Sequence, residues 1–266
     1  MIKTNEIFDT MIRELYSTEN PSFVMGAIGE KLSESYELQY VAGKIHVKAD
    51  NPFGAIIGRK RAMAALDTGY IRENLGRNTP QFSIRAFQAG KIDLKAALMQ
   101  GYNTVVCETR EEWDQYRNSG LKIIFKLIEK DEDLDCDSLF AIWVSSTLKE
   151  VDETKTRFEM IREDLQQWEQ WVDQRCQLIY QLSHGMDDTW ICWFLELCVL
   201  AKLGTTLAFP VSCPPKLWEK LRQTLDVIHT PLLVILNQEQ ELKEELVGHN
   251  FCGGISLNTN PKFLFN

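Results

Sequence analysis

The sequence predicts an α/β protein with a mostly parallel sheet flanked by helices, and three observations carry that expectation. Residues 204–257 alternate strand and helix: apolar runs at 205–209, 232–236 and 251–257, separated by helical patterns opening at Pro214 and spanning 239–247. The run Leu232, Leu233, Val234, Ile235, Leu236 is apolar without alternation. A strand covered on both faces has that composition, and parallel strands joined by crossover helices are covered in this way. Third, the acidic link at 129–137 is short for a β/α barrel unit. An open three-layer sheet of about seven strands is therefore preferred over a barrel.

From the start of the chain, Asn5 can cap a helix in which Ile7, Phe8, Met11, Ile12 and Leu15 share one face. Residues 22–33 read as a second helix, in which Gly26 and Gly29 permit close packing. Period-two alternation at 36–40 and 44–48, around Ala42 and Gly43, predicts a β-hairpin. Pro52 opens a helix to about Asp67, with Phe53, Ile56, Ile57, Ala64 and Leu66 as its apolar positions, and 70–75 suggests one more helical turn.

Beyond Pro80, strands are expected at 82–87, 104–107, 121–128 and 139–144, and short helices at 94–100 and 110–118, the second capped by Thr109. The strand at 139–144 is expected to be antiparallel or to follow a helical turn. Phe158, Ile161, Leu165, Trp168, Val172, Arg175, Ile179 and Leu182 are spaced 3-4-3-4-3-4-3, which predicts one long helix. With the apolar segment 190–203 it would form a helical hairpin inserted at 149–203. The division is thus an N-terminal helical and hairpin portion, 1–78, and a sheet domain, 79–266.

At 266 residues and 44% hydrophobic, the chain can bury a substantial core, and 25% charged residues exclude disordered and fibrous classes. Seven cysteines without a C-x-x-C pair, and a start without a signal-peptide core, lead to the expectation of reduced thiols in the cytoplasm. Residues 189–209 are interrupted by Glu196, Lys202 and Gly204, which argues against a membrane span.

The net charge of −9 is unevenly distributed. Residues 44–95 carry ten basic and four acidic side chains, net +6, within an otherwise acidic chain. That balance disfavours general nucleic-acid binding and directs attention to a local anion site. Arg59, Lys60 and Arg61, with Arg72 and Arg77, are its candidate ligand-binding residues, suited to a phosphorylated or nucleotide-like molecule. Gly54 and Gly58 before them lack the spacing, the lysine and the hydroxyl of a phosphate-binding loop. A solvated helical face is the competing explanation.

Open α/β sheets bind ligands at the carboxyl ends of their strands. Those ends hold Glu108 as candidate acid/base, Ser145 and Ser146 as ligand-binding hydroxyls, and Cys213 as candidate nucleophile. His184, Asp187 and Asp188 fall within five residues and are candidate metal ligands, although helix capping is the stronger explanation for them. No Ser/His/Asp or Cys/His constellation can be assembled from the four histidines, and no cofactor is indicated. A carboxylate-plus-lysine nuclease, suggested by Glu30 and Asp50, lacks the Glu-x-Lys strand. The sequence leaves two functional expectations: a ligand-binding protein or enzyme that holds the anion with the basic island near the strand carboxyl ends, or a regulatory module that docks a protein partner or a second copy through the helix at 158–182.

Overall fold

The computed structural model describes residues 23–26, 34–49, 52–68, 76–78, 84–145, 157–173, 175–181, 206–210, 232–236 and 251–256. A small sheet comes first. β1 (Phe23–Gly26), β2 (Tyr36–Val41), β3 (Lys44–Lys48) and β4 (Gly76–Asn78) lie in the order β1-β3-β2-β4. β2 and β3 form the expected hairpin, turning through Ala42 and Gly43, both at positive φ. The helix expected at 22–33 is corrected: Phe23–Gly26 is a strand that pairs parallel to β3. Local small-residue spacing loses here to the ladder offered by a neighbouring edge.

Helix α1 (Pro52–Thr68) covers this sheet. Tyr36, Leu38, Ile45 and Val47 from the strands pack with Ala55, Ile57, Ala62 and Ala65 from the helix. The approach is close enough to require glycine at two positions. A Cβ on Gly54 would stand 2.8 Å from the carbonyl oxygens of both Glu34 and Ser35, and one on Gly58 would stand 2.9 Å from Val47 Cγ1. These glycines, one turn apart, serve helix-on-sheet packing.

The remaining strands are β5 (Ile84–Gln88), β6 (Thr104–Cys107), β7 (Lys122–Leu127), β8 (Ala141–Ser145), β9 (Gln177–Gln181), β10 (Thr206–Pro210), β11 (Leu232–Leu236) and β12 (Phe251–Ser256). Each pairs in parallel with its successor, and β12 pairs in parallel with β5, so the sheet closes into an eight-stranded barrel. The α/β class and the parallel sheet hold, and the preference for an open sheet is corrected. The short acidic link contains a 3-10 turn at Cys136–Ser138, yet β7 and β8 still pair in parallel.

The eighth strand, absent from the sequence expectation, is β9. The long helix predicted through Leu182 ends ten residues earlier: α4 spans Arg157–Val172. Ile161, Leu165, Trp168 and Val172 are buried as the seam predicts. Asp173 then takes a left-handed conformation (φ 48°), and the Arg175 guanidinium donates to the carbonyls of Trp171 and Val172. Those bonds satisfy helix-end acceptors and terminate the helix. Ile179 therefore belongs to a strand, and the first member of the helical hairpin expected at 149–203 ends at Val172, while its second member, 190–203, lies outside the described residues.

Two shorter helices, α2 (Leu94–Met99) and α3 (Arg110–Tyr116), follow β5 and β6. Thr109 and Glu112 form a reciprocal capping box at the start of α3. Inside the barrel, Ile84, Ala86, Val106, Ile124, Ala141, Trp143 and Ile179 form one buried cluster. They are alternate residues of five neighbouring strands and define the inward face. The helices expected at 5–15, 70–75, 190–203, from Pro214 and at 239–247 lie outside the described residues. Among the described residues, no helix is long and apolar enough to cross a membrane.

Candidate functional site

The inward parity that builds the barrel core continues to its carboxyl-end rim, where polar side chains replace apolar ones. Following the row from β6 to β9 gives Glu108 just past β6, Lys126 on β7, Trp143 and Ser145 on β8, and Gln181 ending β9. The register makes them neighbours: Lys126 is opposite Trp143, and Ser145 is opposite Gln181.

Their side chains are connected. Lys126 Nζ donates to Glu108 Oε1 at 2.6 Å and lies 5.1 Å from the centre of the Trp143 ring. An ammonium over an indole face is attracted by the ring quadrupole. Trp143 Nε1 donates to Gln181 Oε1 at 3.0 Å, and Ser145 Oγ donates to the same oxygen at 3.1 Å. The Trp143 side chain is fully buried, whereas Lys126 and Glu108 are 32% and 39% exposed. A rigid aromatic floor therefore carries a charged pair that solvent can reach.

The backbone behind Glu108 is fixed as well. Glu112 Oε2 accepts from the amides of Glu108 and Thr109, at 2.7 and 3.2 Å. The capping box of α3 thus sets the carboxylate's position on the rim. Cys107, of the opposite parity, is a buried thiol pushed up to about 12 by burial and by the nearby Glu112 carboxylate. A thiol held protonated in this way is a poor nucleophile.

Chemically, this row offers a cation, a carboxylate able to donate or accept a proton, an aromatic face, a hydroxyl and an amide. Closed parallel barrels carry their chemistry at this end. Sequence reasoning located Glu108 and Ser145 but missed Lys126 and Gln181. The available signal was the alternation in Lys122, Ile124 and Lys126, which sets a lysine at each end of an inward-facing row.

The basic island lies elsewhere. Lys60, on α1, donates to the Gln100 carbonyl at 3.2 Å, in the loop that leads into the amino end of β6. Burial pulls its ammonium down to about 8. Arg61 hydrogen-bonds the Tyr36 hydroxyl in the small sheet, Arg59 is half-buried on the same helix, and Arg77 is exposed on β4. The expectation that this island borders the strand carboxyl ends is thereby corrected for Lys60, which contacts the opposite end of the barrel. Arg72, Ser146, Cys213, His184, Asp187 and Asp188 lie outside the described residues. Among the described residues, no cluster of three or more His, Cys, Asp or Glu could hold a metal ion.

That amino end holds a second charged cluster. Arg85 on β5 donates to Glu34 Oε2 at 2.5 Å and to the Gly101 carbonyl at 2.7 Å. Asn103 Nδ2 donates to Glu34 Oε1 at 2.9 Å, and Asn103 Oδ1 accepts from the Arg85 amide. Arg85 is 1% exposed and Glu34 20%. These contacts tie the segment before β2 to the barrel.

No family model matches the chain, and no curated protein matches it. Among solved structures, a family 89 glycoside hydrolase from Clostridium perfringens aligns with 98% of this chain and 47% of its own, at 12% identity and a TM-score of 0.52. This likeness is one of fold. A Streptomyces plicatus β-hexosaminidase aligns at 9% identity, 95% and 72% coverage and a TM-score of 0.48. A Burkholderia cenocepacia putative phosphonomutase aligns at 11% identity, 66% and 87% coverage and a TM-score of 0.43.

Proposed function

We propose that the protein binds, and acts on, a small anionic molecule at the carboxyl-end mouth of the barrel. Lys126 receives the anion, Glu108 exchanges a proton with the bound molecule, and Trp143 forms the floor. The observation that carries this reading is the half-exposed Lys126–Glu108 pair above the buried Trp143 ring. A ligand anion can take over the lysine and release the carboxylate for proton transfer. The aromatic floor lowers the local dielectric, which strengthens both interactions.

A phosphorylated or nucleotide-like ligand falls within this class, with Lys126 in place of the basic island as its cation. Lys60 and Arg61 have hydrogen-bonding roles within the fold, which favours the mouth. Partner docking through the helix at 158–182 has weaker support, because the apolar seam within α4 is already buried against the rest of the chain.

A thermal-shift panel tests the proposal, using inorganic phosphate, pyrophosphate, glucose 6-phosphate, succinate and citrate. The proteins are wild type, Lys126→Gln, and the triple variant Arg59→Ala, Lys60→Ala, Arg61→Ala. A ligand at a hundred times its dissociation constant adds about 2.7 kcal/mol, a readily measured rise in melting temperature. The expected result is a rise in wild type and in the triple variant that Lys126→Gln loses. A flat panel in wild type, or a rise that Lys126→Gln retains, rejects the reading.

A further inference from the structure

The Gln181 amide has its orientation set by neighbours with no alternative. An indole N–H can only donate, so the Trp143 Nε1 contact at 3.0 Å must involve the amide oxygen. Ser145 Oγ at 3.1 Å gives that oxygen a second donor. The amide nitrogen is consequently turned away from the indole. Among the described residues its two N–H groups have no hydrogen-bond partner, and the side chain is half-buried at the last position of β9. A donor whose orientation is fixed, in the same rim row as a solvent-reachable cation, is a recognition element.

We infer that Gln181 determines ligand specificity, by requiring a hydrogen-bond acceptor on the molecule whose anionic oxygen Lys126 holds. This rests on the mouth being the binding site, and it narrows the ligand class to anions that also present a carbonyl or ether oxygen. Trp143 and Ser145 act as positioning residues: they hold the amide so that donors, not acceptors, face the ligand. A ligand with a methylene at that point leaves the donors unmet, and discrimination by such a site is strong because the loss falls on the site.

Glutarate, 2-oxoglutarate and 3-oxoglutarate are suitable probes, being diacids of one length that differ only in a carbonyl acceptor and its position. Dissociation constants would be measured by calorimetry for wild type, Lys126→Gln, Gln181→Met and Gln181→Glu. Gln181→Glu keeps an acceptor for Trp143 and Ser145 while removing the donors, so it separates recognition from support of the indole. Wild type is expected to prefer one of the oxo acids over glutarate by about fivefold, the worth of one hydrogen bond. That ratio should fall to about one in both Gln181 variants. If the diacids bind through Lys126 with equal affinity, or if the preference survives Gln181→Met, this inference is rejected and the mouth proposal stands. If none of the three binds in a Lys126-dependent manner, the mouth reading is rejected for this class and the inference with it.

Discussion

The barrel carries a cation–carboxylate pair at each end, and the two differ in surroundings more than in chemistry. At the amino end Arg85 and Glu34 are 1% and 20% exposed, and Asn103 and the Gly101 carbonyl fill the remaining hydrogen-bonding sites. At the carboxyl end Lys126 and Glu108 are 32% and 39% exposed, with Trp143 as their other neighbour. Arginine suits the first position because its planar fork can bond a carboxylate and a carbonyl at once. Lysine suits the second because a single ammonium can change partners. A buried, fully bonded pair is an anchor; a half-exposed pair with unfilled capacity is available to a ligand.

The largest effect that would sharpen this contrast is expected from Arg85→Met. It leaves Glu34 facing an apolar replacement at the small-sheet junction, and breaking a buried pair in this way costs about 3–5 kcal/mol. The corresponding change at the mouth, Lys126→Gln, should alter stability by no more than about 1 kcal/mol, because exposed pairs are weak. Urea denaturation of both variants checks the comparison. Equal losses would show that the two pairs play the same structural part.

Gly54→Ala comes next. Its new Cβ would collide with the Glu34 and Ser35 carbonyls and push the anchor segment off α1. Overpacking of this kind costs about 1–3 kcal/mol. The melting temperature should fall, while Lys126-dependent anion binding at the far end should be kept. Loss of both together would mean that the two ends are not independent.

A smaller, pH-dependent effect belongs to Lys60, also at the amino end. Its folded-state value of about 8 lies below that of an unfolded lysine, so the unfolded chain binds more protons between the two values. Stability contributed at this site is therefore lowest below about pH 8 and rises with pH to about pH 10.4. The stability of wild type relative to Lys60→Met should climb across that window in denaturation series. A constant difference would show that the ammonium is not desolvated.

The smallest expected effect concerns one thiol near each end. Cys107 at the close of β6 and Cys176 just before β9 are both pushed up to about 12, chiefly by burial. Neither should react with iodoacetamide at about pH 8 while the protein is folded, as read by mass spectrometry. Rapid alkylation of Cys107 alone would indicate that the layer formed by α3 over β6 is more open than its packing implies.

Much of the fold is legible because local rules and tertiary packing agree. Thr109 with Glu112 announces a capping box, Pro52 opens α1, and the apolar runs at β6, β7 and β11 announce strands. The miss at β9 is equally physical. Arg175, Ile179 and Leu182 continue a helical spacing, but Arg175 caps the helix that the spacing would extend, and Leu178, Ile179 and Tyr180 are a short continuous apolar run, all buried, as in a strand covered on both faces. Two signals overlap there, and a single chain cannot rank them.

The sequence by itself determined the α/β class, the hairpin, most of the strands and two members of the rim, Glu108 and Ser145. Only the tertiary structure decided that the sheet closes, because closure depends on pairing β5 with β12 and β9 with β10, contacts between residues far apart in the chain. Closure in turn decided which residues meet. Strand parity says that Lys126 and Trp143 could share a face, but only a curved sheet makes that face an interior whose rim gathers Glu108, Lys126, Ser145 and Gln181. The same closure placed Lys60 at the opposite end, where its ammonium bonds the Gln100 carbonyl and links α1 to the barrel.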